Sequence, residues 1–353
     1  MGKKLLKTLL IIILVIVVVF LGYIGFMIVT DYKPEEEISI DIENNQSKKL
    51  SIEDELKLTT FNIGYGTMDD SVDFFMDGGK MSRGVSKERT LENMDGIINT
   101  IDKLNSDIVF LQEVDVKATR SYKINELEMI KDNFKDYGNT FAINYKVPWV
   151  PIPFTNPHGQ VLAGLTTLSK YEVNSSTRYD LPGKSSFLTQ LGDLDRAMMV
   201  NRIPVDNGKE LVAINAHLSA YDEGGKIRQV QLGYIKEFLE REYDKGNYII
   251  IGGDWNQQIP GTNAFDFPTT EEWPDWLQDI PEDFVPEGFT WTFDKTVATS
   301  RAVATPYIKG ENLTSIIDGF LVSDNIEVKS TAGSAEEFKY SDHNPVTVTF
   351  KLR

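Results

Sequence analysis

Apolar and polar positions divide the chain into three regimes. From Leu9 to Val29 the residues are apolar and uncharged for 21 positions, long enough to span the hydrocarbon core of a bilayer as a helix. From Asp31 to Glu55 the chain is rich in Glu, Asp, Lys, Ser and Asn, with isolated isoleucines and one proline. That composition predicts a polar stalk, with room for one short strand around Ile38–Ile42. From Leu56 onward strand-like and helix-like periods alternate, which predicts a single large α/β domain over 56–353.

Within that domain, Leu56–Ile63 alternates as a strand should and turns at Gly64 and Gly66. A helix is expected over Lys87–Leu104, where Leu91, Met94, Ile97, Ile98, Ile101 and Leu104 repeat at three and four. Asn105-Ser106-Asp107 ends it, and Ile108–Leu111 is a short apolar strand leading to Gln112-Glu113. A second helix is expected over Glu223–Tyr243, with Ile227, Val230, Tyr234, Ile235, Phe238 and Leu239 on one face. Tyr248–Ile251 follows as a strand ending at Gly252-Gly253-Asp254. Further strands are expected at Leu162–Leu168, Arg196–Pro204, Leu211–Asn215, Phe289–Phe293, Ile316–Val322 and Val346–Leu352.

Three of these strands end in a group that an apolar core would not select: Glu113, His217 and Asp254. Strand ends at the rim of a sheet are where α/β proteins place their chemistry. A Glu after a strand is ordinarily a solvated loop residue, and one Asp-x-Asn is ordinarily a turn. Several such ends in one chain, with Ser341-Asp342-His343 before the last strand, are not explained that way.

Charge and composition narrow the chemistry. The formal net charge is −17, which argues against tight, salt-driven binding of nucleic acid without excluding a nuclease with few, metal-mediated contacts. There is no cysteine, so thiol nucleophiles, disulfides and Cys-ligated zinc are excluded. Lys3, Lys4 and Lys7 precede the apolar run and Glu35, Glu36 and Glu37 follow it, with no small-residue cleavage site after Val29. Residues 1–30 therefore read as a retained signal anchor, a single transmembrane helix with a cytoplasmic N-terminus. The remainder is expected outside the cell membrane.

The runs Thr60–Ile63, Asp107–Val114, Asn215–Leu218, Gly252–Asn256, Ile317–Ser323 and Ser341–Val346 occur in an order that resembles the endonuclease/exonuclease/phosphatase superfamily. That superfamily holds DNase I-like nucleases, abasic-site endonucleases, inositol polyphosphate phosphatases and neutral sphingomyelinases. The resemblance covers about Leu56 to Arg353. It implies a four-layered αββα sandwich, two mixed sheets flanked by helices, and divalent-metal-dependent phosphoester cleavage. By that resemblance Glu113 is the main Mg²⁺ (or Mn²⁺) ligand, with Asn62 beside it and Asp342 as a further metal or water ligand. Hard oxygen donors suit such an ion. Asp254 orients or deprotonates the attacking water and Asn256 holds a phosphate oxygen. His343 contacts the scissile phosphate, Asp318 fixes its tautomer, and His217 protonates the leaving oxygen or stabilises the phosphorane.

One departure stands out. DNase I-like enzymes carry a Glu before the strand equivalent to Leu162–Leu168, to orient the second histidine. Here the stretch reads Gly159-Gln160-Val161-Leu162, leaving His217 without an assigned partner and close kinship with DNase I in doubt.

Other features carry less. Arg120, Tyr122 and Lys123, and Arg196, are candidate cationic and polar contacts for substrate phosphate. His158 reads as a surface-loop histidine. Asp69, Asp70, Asp73 and Asp77 lack calcium-loop spacing and read as a solvated insertion placed to line the substrate cleft. Val147–Phe154 is apolar and Pro-rich and cannot be a central strand. It and the Trp-rich stretch Phe265–Trp291 either pack on the domain or face lipid headgroups.

The expected substrate is thus a phosphoester: a phospholipid headgroup, a small phosphodiester or nucleic acid. The membrane is a partner through the N-terminal helix, and no obligate protein partner is expected. An extracytoplasmic DNase I-like nuclease is the alternative, and a non-catalytic binding protein on the same fold is a distant third.

Overall fold

The computed structural model describes residues 2–353. Gly2–Thr30 is one helix, exposed along most of its length. The rest builds one short pair, Ser300–Arg301 with Thr314–Ser315, and two large sheets. One runs, in spatial order, Glu37–Ile40, Ser175–Asp180, Ala197–Pro204, Glu210–His217, Tyr248–Asp254, Asp318–Ser323 and Phe289–Thr292. The other runs Ile326–Gly333, Val346–Leu352, Glu55–Asn62, Ile108–Asp115, Gly159–Ser169 and Gly138–Val150.

Alternation of apolar residues makes these strands two-faced, and each face finds its own partner. Leu56, Leu58, Phe110 and Phe350 of the second sheet pack against Leu211, Ile250 and Phe320 of the first. The opposite face of the first sheet is covered by Leu232, Ile235, Phe238 and Leu239 of the helix Lys226–Tyr243. The opposite face of the second is covered by Met94, Ile97 and Ile101 of Lys87–Leu104, with Leu127 and Ile130 of Glu126–Asn133. The result is the expected four-layered sandwich of two mixed sheets.

Most pairings are antiparallel, and the two parallel pairs position the site. Glu55–Asn62 lies parallel to Ile108–Asp115, and Glu210–His217 lies parallel to Tyr248–Asp254. Parallel neighbours end at the same edge, so Asn62, Glu113, His217 and Asp254 reach one rim. A buried amide network joins the sheets beneath that rim. Gln112 Nε2 donates to Asn215 Oδ1 at 2.8 Å, and Asn215 Nδ2 donates to the Leu111 and Thr166 carbonyls.

The helix Lys87–Leu104 has the expected bounds, capped by Ser86, whose side chain accepts from Arg89 N. The other long helix begins later than expected, at Lys226, after a turn in which Gly224 and Gly225 adopt positive φ. Val230, expected on its buried face, is exposed. Arg228 is buried instead, donating to the Asn256 and Trp276 carbonyls, because the first turn lies over loops that need a donor.

The stalk expectation is corrected, apart from the short strand it left room for around Ile38–Ile42. Glu37–Ile40 is an edge strand paired antiparallel with Ser175–Asp180. Ile42 packs on the inter-sheet core, and Leu50 is fully buried in it and bridges to Val205. Asn45 exchanges two hydrogen bonds with the Val173 backbone. The isoleucines at 38, 40 and 42 have the period of a strand, and an existing sheet edge supplies the apolar surface that the segment lacks alone. The stretch containing Trp149 is, as expected, not central: Gly138–Val150 is the edge strand of its sheet.

Candidate active site

The strand Ile108–Asp115 breaks register with Gly159–Ser169 between Leu111 and Val114. That irregularity holds Glu113 at φ 58. An acidic residue in the left-handed region next to a bulge is an element bent to aim one side chain. Gly252-Gly253 has a different reason. Gly253 sits at φ 147, where an added Cβ would come within 1.9 Å of the Ala216 carbonyl oxygen. Only glycine lets the Asp254 strand lie this close to the His217 strand.

Register then sets the order of side chains along the rim. His217 pairs across with Asp254, and Asp254 pairs across with Asp318. Asp254 Oδ2 is the meeting point. It accepts a 3.0 Å hydrogen bond from Asn62 Nδ2, with His217 Nε2 at 3.5 Å and His343 Nε2 at 3.7 Å. Asp254 Oδ1 caps the loop by accepting from Asn256 N at 2.8 Å. Asn62 Nδ2 also lies 3.5 Å from Glu113 Oε1, which is 3.9 Å from His217 Nε2. His343 Nδ1 is 2.8 Å from Asp318 Oδ2. Ser341 Oγ donates to the Asn62 carbonyl at 2.8 Å, tying the loop that carries Asp342 and His343 to the end of the Asn62 strand.

Burial and charge act on these groups in opposite senses. Burial, with repulsion from Asp342, raises the Glu113 carboxyl above its ordinary range, against the pull of Arg120. Burial and Asp318 likewise raise Asp254, against His343. Burial would lower His343, but Asp318 and Asp254 outweigh it and push the imidazolium up to about 10. Burial, then Arg196 and His343, hold His217 well below its usual value. The two histidines are thus shifted in opposite directions, and only His343 has a carboxylate on its second nitrogen. His217 Nδ1 is buried without a partner, so the missing Glu is replaced by nothing among the described residues.

The remaining expectations divide. Arg196 is 9 % exposed and lines the cleft, and its guanidinium makes no hydrogen bond or ion pair among the described residues. Arg120 also lines the cleft, but both ends of its guanidinium hold Asp115, at 3.1 and 2.9 Å, and its plane stacks 3.6 Å from the Tyr65 ring. Tyr122 is not brought to the site: its hydroxyl donates to the Gly84 carbonyl at 2.7 Å, and the neighbouring Lys123 is exposed. Asn256 Nδ2 donates to the Leu218 carbonyl, leaving its Oδ1 and its second amide proton for the cleft.

His158 is not a surface residue. It is 4 % exposed, packs among Phe74, Phe75 and Tyr145, and its Nδ1 lies 3.0 Å from the Ser82 carbonyl. Asp69 is not solvated either: it is buried and binds Arg89, Asn93 and Ser71. The insertion does line the cleft, through Met68, Phe74, Phe75, Met76 and Asp77. Trp273 and Trp291 pack onto the domain, as the plainer expectation had it. Sequence reasoning missed Tyr221, whose hydroxyl donates to Asp77 Oδ2 at 2.6 Å across the cleft mouth. It also missed Tyr65 and Arg301 in the cleft wall, neither of which any period distinguishes.

The donor set fits a hard divalent cation. Glu113, Asp254 and Asp342 line one cleft, and the Asp342 charge raises the cost of ionising Glu113. Asp254, Asp318 and His343 bring ligand-type atoms within 4.8 Å of one another. The 2.8 Å contact, however, already joins Asp318 to His343 Nδ1, which makes those two a pair rather than a cage.

Solved structures share the architecture. An endonuclease/exonuclease/phosphatase from Beutenbergia cavernae is 16 % identical over 84 % of this chain and 72 % of its own, with a TM-score of 0.60. One from Bacteroides vulgatus is 19 % identical over 85 % of this chain and 100 % of its own, with a TM-score of 0.55. TDP2 of D. rerio, complexed with a single-strand DNA product, is 13 % identical over 85 % and 100 %, with a TM-score of 0.53. No curated protein matches the sequence. The family model described as Endonuclease/Exonuclease/phosphatase family matches residues 59–343, and the chain therefore belongs to that family of metal-dependent phosphoester hydrolases.

Proposed function

We propose that the protein is a phosphodiesterase or phosphatase held on the outer face of the cell membrane by its N-terminal helix, with residues 56–353 as the catalytic domain. The observation that carries the reading is the convergence of Asn62, His217 and His343 on Asp254 Oδ2. One carboxylate oxygen between an amide and two imidazoles is placed to take a proton from water attacking phosphorus.

Glu113 would hold the metal, with Asn62 and Asp342 beside it. When bound, the ion, magnesium or manganese, neutralises charge that builds on the phosphate. The chain supplies the rest. Asp318 fixes the His343 ring so that Nε2 faces the cleft and meets a phosphate oxygen. Arg196, with no internal partner, gives a second positive contact. Asn256 offers its remaining amide proton. His217, the second imidazole beside Asp254, stands where the leaving oxygen needs a proton or a hydrogen bond. The helix Gly2–Thr30 is long and apolar enough to cross a membrane, and Lys3, Lys4 and Lys7 at its start favour a cytoplasmic N-terminus.

Glu113→Gln tests the metal reading, because it weakens the ligand without changing its shape. Turnover of bis-p-nitrophenyl phosphate with Mg²⁺ or Mn²⁺ should fall by orders of magnitude while the melting temperature holds, and EDTA should abolish wild-type turnover. Full activity in EDTA would refute the mechanism.

A further inference from the structure

The cavity that contains the site does not stop at the catalytic groups. Its volume is about 450 Å³, and besides Glu113, His217, Asp254 and His343 its wall includes Tyr23, Ile24 and Met27 of the N-terminal helix. That helix is exposed over Gly2–Gly22, yet Tyr23 and Ile24 are half-buried and Met27 is 2 % exposed. The Tyr23 hydroxyl donates to the Trp149 carbonyl at 2.9 Å, and Lys146 lies 5.2 Å from the Tyr32 ring just beyond the helix. The helix end is thus seated on the edge strand Gly138–Val150. Ile152, Leu188 and Leu191 line the same cavity beside it. Leu188 is 58 % exposed, and Phe187 and Phe154, close in sequence to the lining residues Leu188 and Ile152, are exposed at 65 % and 87 %.

We propose that the substrate is a membrane lipid phosphodiester, bound with its phosphate at His343 and Arg196 and its hydrocarbon chain along Ile24, Met27, Leu188 and Leu191. This deepens the hydrolase reading and rests on it. A membrane-spanning helix that walls a catalytic cavity joins the cleft to the place where lipid chains are. An apolar wall has no use for a soluble polar diester but gains from every methylene that leaves water. Arg196 is the one cleft arginine that holds no protein carboxylate or carbonyl among the described residues, which suits a single phosphate. A polynucleotide would need a row of cations, and the chain carries a net −17. The step is hydrolysis: the water oxygen forms the new bond to phosphorus, the bond to one alcohol oxygen breaks, and the water proton ends on that oxygen.

The full chain, reconstituted in phosphatidylcholine vesicles doped with a phosphatidylcholine carrying a chain-terminal diazirine, tests this without turnover. After irradiation in EDTA, mass spectrometry should place adducts on Leu188 and Leu191 as well as on Met27. Ile24→Glu, at a half-buried position, should lower the Leu191 adduct by about tenfold, since it puts a charge in the apolar wall, with the melting temperature unchanged. Adducts confined to Leu9–Phe20, or an Ile24→Glu variant labelled like wild type, would overturn the lipid site. The hydrolase reading fails separately, if no phosphodiester is cleaved with any divalent metal. Cleavage of single-stranded DNA together with no Leu191 adduct would leave a nuclease and remove the lipid.

Discussion

At the scale of the residue, the site is a set of side chains whose properties come from what sits on their far side. His343 and His217 are both buried and both lie within 4 Å of Asp254 Oδ2. Only His343 has Asp318 behind it. Asp318→Asn should therefore lower kcat on a soluble diester by about 10–100-fold, the usual cost of losing the partner that orients a functional imidazole. His343→Ala should cost about 10²–10⁴-fold, as for an acid–base group. Because Asp318 acts through the ring, the double variant should be no slower than His343→Ala alone. Additive losses would mean that Asp318 has a separate role. Most of these positions were legible in the sequence, since a His, Asp or Glu that ends an apolar run has no place in a core. Tyr122 was read wrongly because a polar residue after Glu113 carries no mark of direction, and the positive φ at 122 turns its ring toward Gly84. His158 was read wrongly because its burial depends on Phe74, Phe75 and Tyr145, which lie far from it in sequence.

At the scale of the element, period told helix from strand wherever a run had its own apolar face, as in Lys87–Leu104 and Val346–Leu352. Edge strands such as Glu37–Ile40 and Ile326–Gly333 were harder, because half of each faces water and the signal is diluted by charge. What fixes an element in place is sometimes one buried ion cluster, and the helix Lys226–Tyr243 has one. Glu242 is 1 % exposed and accepts from Arg202 on the neighbouring strand at 2.7 and 3.0 Å, with Lys245 at 2.8 Å. Burial alone would raise its carboxyl, but the hydrogen bonds from Arg202 and Lys245 outweigh it and bring it down to about 2. A carboxyl lowered on folding stabilises the protein above its unfolded value, near 4.5, and that contribution fades as pH falls toward about 2. Glu242→Gln should cost about 1.5–3 kcal/mol at pH 7, the range for charged hydrogen bonds. The gap from wild type in urea unfolding should narrow steadily below about pH 4.5. A gap that stays constant down to pH 2 would show that packing, not charge, holds the helix end.

At the scale of the whole molecule, the question is how the apolar helix and the sandwich share one function. The segment after the helix is not a long free tether, since Glu37–Ile40 is already part of a sheet. That leaves the residues from Asp31 to Glu36 as the connection, with Glu35 exposed within it. Exposed backbone outside a strand or helix is where proteases cut. If the domain lies outside the cell, a glutamate-specific protease added to intact cells should cut after Glu35 and release a fragment beginning at Glu36. Every residue proposed for metal, water and phosphate lies in that fragment, so it should keep turnover of a small soluble diester. It loses Tyr23, Ile24 and Met27 from the cavity wall, so its action on lipid vesicles should fall much further than its action on the soluble diester. Equal losses on both would reduce the helix to an anchor. A domain protected in intact cells and cut only after lysis would place the sandwich in the cytoplasm, against the lysines at the start of the helix.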